Sequence, residues 1–410
     1  MSKINPSNLQ NRKRYRDHES VNDDDSNSSV IITSNPKNNS RTGLTGQNKI
    51  IIFDDDNEDD DNEDDDNEDD DNNNENDDIL TEFHTKYSEK KIETLQDLIH
   101  LAESYAPFIN RRKKPRWNLD LRRLYNMLPS LIKLNRMIGM RELKRTIVHL
   151  IVYYLQDFES SNSNMLHTVI EGPPGTGKTE VAKIIGEIYL GLGILQNKTF
   201  RIVRRSDLIG GYLGQTAIKT QKVIDEARGG VLFIDEAYSL GNPEGRDSYS
   251  KECIDTLNQN LTENKANFIC IIAGYPNSLK ESFFSVNHGL ERRFPFRFMI
   301  EEYMPEELRE IFLKIVEDNL WTIFENNIIH NIPISFFETN KQYFIFNGGD
   351  MENLFQLVKI SHSQRIYSLD SSVKKKITLT DLTNAFTLYL NNKNIKNRSE
   401  IHSVPPMMYL

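Results

Sequence analysis

The chain has 410 residues, with 50 Lys and Arg against 61 Asp and Glu, a formal net charge of −11. The segment from Asp54 to Asp78 holds 18 of the acidic side chains and no basic one, so the remainder is mildly basic, 50 against 43. No apolar run approaches the roughly 20 residues of a membrane span, Met1 to Gln10 lacks the apolar core of a signal peptide, and Cys253 and Cys270 form neither a disulfide framework nor a metal site. Together these predict an intracellular, non-secreted protein, cytoplasmic or, in the alternative, nuclear.

Residues 1–85 read as a disordered, Asn-rich acidic tail, too poor in apolar side chains to offset the entropy of ordering. Within it Asn57-Glu58-Asp59-Asp60-Asp61 recurs from Asn62 and again from Asn67. A self-repelling pentad of this kind suits an extended, solubilising tail or a docking site for a basic partner. Arg12 to Arg16 is a short basic cluster of the nuclear-localisation type, a pattern that also arises by chance.

Residues 86–135 form a predicted helical extension, with one stripe at Ile92, Leu95, Leu98, Ile99 and Ala102 and a second at Leu121, Leu124, Tyr125 and Leu128. The basic run from Arg111 to Arg116 beside Trp117 reads as a solvated linker, with nucleic-acid binding as the alternative. A longer amphipathic helix carries Leu143, Ile147, Leu150, Ile151 and Tyr154. Residues 136–303 then alternate short apolar strands (Thr168–Ile170, Phe200–Val203, Val231–Ile234, Phe268–Ile272) with helical stripes, the pattern of a parallel α/β sheet covered on both faces. From Pro305 the strands stop, and residues 304–393 read as a small all-α domain followed by a flexible tail, 394–410. Asp381 is expected to cap its last helix.

Gly172-Pro173-Pro174-Gly175-Thr176-Gly177-Lys178-Thr179 fits G-x-x-x-x-G-K-[ST] in full, after a strand and before a helix. Such a loop turns successive backbone N–H groups toward phosphate oxygens, with a helix N-terminus behind them. Lys178 is expected to reach the β- and γ-phosphates, and the Thr179 hydroxyl to bind Mg²⁺. The strand Val231–Ile234 runs into Asp235 and Glu236, placed for metal binding and for activating water respectively. Together these imply a P-loop ATPase. Two further segments are informative: Leu208 to Gly214, whose Gly-flanked Tyr212 suggests an exposed mobile loop, and Gly289 to Phe294, whose Arg292 and Arg293 include a candidate arginine finger.

With Ile138-Gly139-Met140, VLFIDEAYSL (residues 231–240) and Ala273-Gly274-Tyr275, these segments make residues 137–391 resemble an AAA+ ATPase of the CbbX/CfxQ and stage V sporulation protein K branch. The resemblance implies an AAA+ core with a helical lid and a ring, usually a homo-hexamer, with ATP between subunits. It further implies that Ile138 and Gly139 lie near the adenine, that Arg293 acts in trans, and that Tyr212 and Leu213 line a pore gripping a polypeptide client. Two positions depart from the wider pattern: Tyr275 stands where many relatives place an Asn, and Asn347 to Glu352 lacks the usual lid arginine. The function expected is an ATP-driven protein remodeller. The alternatives are a nucleic-acid motor or loader, or an ATP-gated scaffold with negligible turnover.

Overall fold

A computed structural model of the protein describes residues 50–51, 73–88, 90–111, 114–115, 117–158, 165–212, 214–241, 247–287, 289–323 and 332–398. The acidic pentads, the Arg12–Arg16 cluster and Leu213 lie outside them.

After a two-residue strand, β1 (Ile50–Ile51), five helices precede the main sheet: α1 (Asn73–Tyr87), α2 (Leu95–Tyr105), α3 (Leu121–Asn126), α4 (Leu128–Asn135) and α5 (Arg141–Tyr154). Helix α1 crosses the predicted border at residue 85. Its last turns are fixed by packing, with Phe83 on Phe108 and Trp117. Trp117 also donates its indole N–H to His84 Nδ1 at 3.0 Å. The aromatic beside the basic run is thus engaged within the fold. Helix α2 starts at a reciprocal capping box, Thr94 with Asp97.

The sheet follows the apolar runs. Strands β2 (Thr168–Glu171), β3 (Phe200–Val203), β4 (Val231–Ile234), β5 (Ile269–Gly274) and β6 (Phe296–Met299) are parallel in the order β3-β4-β5-β2-β6, and β1 pairs antiparallel outside β3. Helix α6 (Lys178–Gly191) follows β2, α7 (Arg205–Leu208) and α8 (Gln215–Glu226) follow β3, α9 (Ser248–Glu263) follows β4, and the single turn α10 (Pro276–Ser278) follows β5. Side chains alternate across the sheet. Ile170, Phe200, Phe233 and Ile271 join a core with α6 and the N-terminal helices, whereas Val169, Val203, Leu232 and Ile272 join one with α8 and α9. Strand β6, not anticipated from the sequence, is the outer strand. Only Phe298 of its four residues is buried, so the continuous apolar run of its neighbours is missing.

The end where the strands begin is sealed. His167, just before β2, is fully buried; its Nδ1 accepts from the Cys270 N–H and its Nε2 faces Leu261 O, both at 3.0 Å. That arrangement requires the neutral Nε2–H tautomer, and burial lowers the ring's pKa to about 4.

The lid comprises α11 (Pro305–Asp318), α12 (Ile334–Asn340), α13 (Gly348–Ile366), α14 (Leu379–Leu390) and α15 (Lys393–Lys396). It is not wholly helical: β7 (Thr322–Ile323) and β8 (Lys376–Ile377) form a short parallel ribbon. Thr378, not Asp381, is the N-cap of α14, and Asp381 is its partner in the capping box. Asp381 itself is buried beneath His362 and a two-pronged contact from Arg365. The chain stays anchored past residue 394, because Arg398 bonds the Asp350 carboxylate and Tyr343 O.

Candidate nucleotide site

The loop Gly172–Thr179 leaves β2 at the C-terminal edge of the sheet and runs into α6. Gly175 and Gly177 lie at φ +70° and +82°, a region open to glycine, and a Cβ on Gly175 would collide with Phe346 O of the lid. Thr176 is buried and ties its hydroxyl to Pro173 O at 2.8 Å. Lys178 folds back, donating to Gly172 O at 3.0 Å and Pro173 O at 2.7 Å. Burial lowers its pKa, against the opposing charges of Asp235 and Glu236.

Those acids come off the end of β4, two strands from β2 across β5. The Asp235 N–H continues the ladder to Val203 O at 3.1 Å, while its carboxylate accepts from the Glu236 N–H at 3.1 Å. Burial raises the Asp235 pKa, and Glu236 adds to the rise; the Glu236 N–H, Arg204 and Lys178 oppose it. Glu236 is exposed and sits at φ +51°, a left-handed kink that swings its side chain off the strand line. Behind the acids, Arg205 donates to Ser239 O at 2.7 Å and to Asp247, the N-cap of α9, at 2.6 Å. For Asp247, burial raises the pKa, but the bonds from Ser250 and Arg205 outweigh it and bring the carboxyl down to about 2.

A cleft of about 430 Å³ opens beside the loop, lined by Met137, Ile138, Gly175, Tyr303, Ile311 and Gly348. Gly139 and Met140 are consecutive left-handed residues that turn the chain from this cleft into α5. The lid closes on the loop through Asn347. Asn347 is 3% exposed and sits at φ +50° and ψ −119°. Its amide donates to Pro174 O at 3.2 Å and its carbonyl accepts the Tyr303 N–H at 3.3 Å. Gly348 N–H bonds Gly175 O at 3.0 Å, and Tyr303 hydroxyl donates to Thr176 O at 3.1 Å. Asn347 and Tyr303 carry no motif that marks them as site residues; the Asn347-Gly348-Gly349 string is the available sign of a left-handed turn.

Arg293 is elsewhere. It lies three residues ahead of β6, whose Phe296 is in parallel register with Thr168 at the start of β2, so it sits at the opposite edge of the sheet from the loop. There its Nε donates to Thr262 Oγ1 at 2.8 Å. Arg292 instead lines a surface cleft with His149 and Tyr153. Tyr212 is 75% exposed, between α7 and α8. The predicted residues therefore fall into one cluster at the C-terminal edge (Gly172–Thr179, Asp235, Glu236, with Ile138 and Gly139 beside it) and two outliers, Arg293 and Tyr212.

The signature of the family described as "ATPase family associated with various cellular activities (AAA)" matches residues 168–300. A cfxQ-like protein of Acanthamoeba polyphaga mimivirus is 43% identical over 314 residues, 76% of this chain and 76% of the relative. The chain belongs to the CfxQ-like AAA ATPases. Stage V sporulation protein K of Bacillus subtilis is 35% identical over 45% of the chain and 59% of that protein. The ESX-3 secretion system protein EccA3 of Mycobacterium tuberculosis (strain H37Rv) is 35% identical over 50% of the chain but only 33% of EccA3. Among solved structures, the FIGL-1 AAA domain in complex with ADP has a TM-score of 0.45 at 19% identity, covering 65% of this chain and 88% of that one.

Among the described residues no three His, Cys, Asp or Glu side chains gather into a metal cage, and no helix is long and apolar enough to cross a membrane. The donors at the loop are the Thr179 hydroxyl and the Asp235 carboxylate. Two hard oxygen donors suit Mg²⁺, which keeps most of its shell as water and phosphate oxygen.

Proposed function

We propose that this AAA ATPase is a Mg²⁺-dependent motor that hydrolyses ATP as a ring, a homo-hexamer, and pulls on a polypeptide client. The observation that carries the reading is the meeting of Lys178, Asp235 and Glu236 at one sheet edge, beneath a lid that bonds the loop directly. In this reading the loop Gly172–Thr179 cradles the phosphates, with the N–H groups of Gly175 to Thr179 as donors. Lys178 leaves the carbonyls of Gly172 and Pro173 for the β- and γ-phosphate oxygens. The adenine lies against Ile138 and Gly139 in the cleft under the lid. Thr179 and Asp235 would hold Mg²⁺, which neutralises phosphate charge when bound. Glu236, exposed just past the end of β4, orients and polarises the attacking water.

Arg293 cannot serve its own phosphates. Four strand residues at about 3.3 Å each separate the two edges of the sheet. A neighbouring subunit presenting Arg293 to the γ-phosphate would complete each site, which supports a ring. Tyr212 and Leu213 would grip the client. The packing of Trp117 within the N-terminal helices weighs against stacking on nucleic acid. The name of the secretion-system relative accords with a protein client, whose choice we assign to residues 1–135.

Phosphate release from ATP by the full chain tests the reading. Glu236→Gln should keep nucleotide affinity and lose turnover by orders of magnitude; unchanged turnover would remove Glu236 from the mechanism. Stimulation by single-stranded DNA that fades steeply with salt, in place of stimulation by unfolded polypeptide, would favour a nucleic-acid motor.

A further inference from the structure

Arg297 joins the foot of the phosphate loop to the turn that carries Arg293. It is the second residue of β6, in register with Val169 of β2. Its Nη1 donates to Glu171 Oε1 at 3.4 Å and its Nη2 to Glu291 Oε1 at 2.8 Å. Glu171 is the last residue of β2 and is 8% exposed; Gly172, the first residue of the loop, follows it. Glu291 is exposed and opens the single 3₁₀ turn Glu291–Arg293. The guanidinium also lies over Phe284, 4.7 Å from the ring centroid, and Phe284 meets Phe294, the residue after Arg293, edge to face at 6.0 Å. One side chain thus touches the strand end beneath the loop, the turn, and the ring that backs the turn.

We infer that Arg297 is a positioning residue for the arginine that each subunit offers its neighbour, resting on the reading that Arg293 acts in trans: it sets the turn Glu291–Arg293 at a fixed place relative to the same subunit's phosphate loop. The two arms differ. Glu171 cannot leave the guanidinium without stranding a carboxylate where little water reaches it, so that arm is the anchor. Glu291 is solvated, and an exposed ion pair adds little to stability. What it adds is direction, because a planar fork seated on a ring holds a second carboxylate in a narrow range of placements. The Arg293 side chain is steadied by its Nε bond to Thr262, and the backbone beneath it by Glu291. A purely structural clamp would join two buried groups. This one joins a buried group to the exposed turn that must meet another chain, and a group misplaced by about 1 Å loses much of its effect on a reaction.

The test uses the full chain, with kcat from phosphate release and affinity from a fluorescent ATP analogue. Glu291→Ala, which removes only the solvated arm, should lower kcat about 10-fold, with ATP affinity within about two-fold and the urea-unfolding midpoint unchanged. Mixed with an excess of Glu236→Gln protein, whose turn is intact and whose own site is inactive, each Glu291→Ala subunit should recover by at least about three-fold, because its neighbours then supply a well-placed arginine. Arg297→Gln should lower kcat at least as far, and adding Glu291→Ala to it should cost nothing more. A parental kcat in Glu291→Ala, no recovery on mixing, or independent losses in the double variant would overturn the role of Arg297. Those results would leave the trans arginine standing as long as Arg293→Ala is slow; a parental kcat in Arg293→Ala would remove that reading and this inference together.

Discussion

The two edges of the parallel sheet are built to opposite ends. Where the strands begin, polar groups are satisfied within the fold: both ring nitrogens of His167 have backbone partners, and Arg293 rests on Thr262. Where they finish, polar groups are held against provisional partners. Lys178 is parked on two carbonyls, the Asp235 pKa is raised, and Asn347 keeps a strained backbone to reach Pro174. One edge is a finished surface and the other a receptor for charge. The contrast shows how a single strand layer can separate stability from chemistry, since substitutions at the two edges should be read by different instruments.

The largest effect should come from the one residue of the closed edge to which we assign a chemical role. Arg293→Ala should lower turnover by about 1,000-fold with ATP affinity little changed, and mixing it with Glu236→Gln protein should restore part of the activity in assembled samples. No recovery on mixing would break the picture of one edge completing the other in a neighbour.

His167 should affect stability alone. Its folded pKa lies below the ordinary value of 6.5, so the unfolded chain binds more protons between those two values. Stability should therefore be full above about pH 6.5 and fall by about 3 kcal/mol as the pH drops toward 4. Urea unfolding across that range should show the slope in the parent and lose it in His167→Gln, with ATP affinity at pH 7.5 unchanged.

Asp247 supports the other edge through Arg205. Its lowered carboxyl gives stability that is present above about pH 4 and lost as the pH falls toward 2, at most about 2 kcal/mol. Asp247→Asn should remove that dependence, and at neutral pH it should also slow turnover by loosening the turn after Glu236. The smallest effect is expected at Asn347. Asn347→Ala should cost about 1 kcal/mol in urea unfolding, while Asn347→Gly should cost less, because relief of the strained backbone offsets the lost bonds.

Much of the receptive edge was legible because its signals are local. A Gly-rich octet between a strand and a helix, and four apolar residues ending in two acids, each declare themselves within ten residues. The outer strand β6 was hidden because three of its four side chains are not buried, which erased the apolar run that marked its neighbours. The ribbon of Thr322–Ile323 with Lys376–Ile377 is too short to carry any period. The Asp247 bond to Arg205 and the Tyr238–Tyr275 stack join segments about 40 residues apart, and no spacing rule predicts such meetings. Asn347 was half visible: its glycine neighbours announced a turn, but only the fold shows what the turn reaches.

The station of Arg293 on the side of the sheet away from its own loop has a consequence for bench work. A solution dilute enough to leave chains single should be nearly silent even when saturated with nucleotide. Specific activity should then climb with protein concentration before it levels off, giving a reaction order in protein above one.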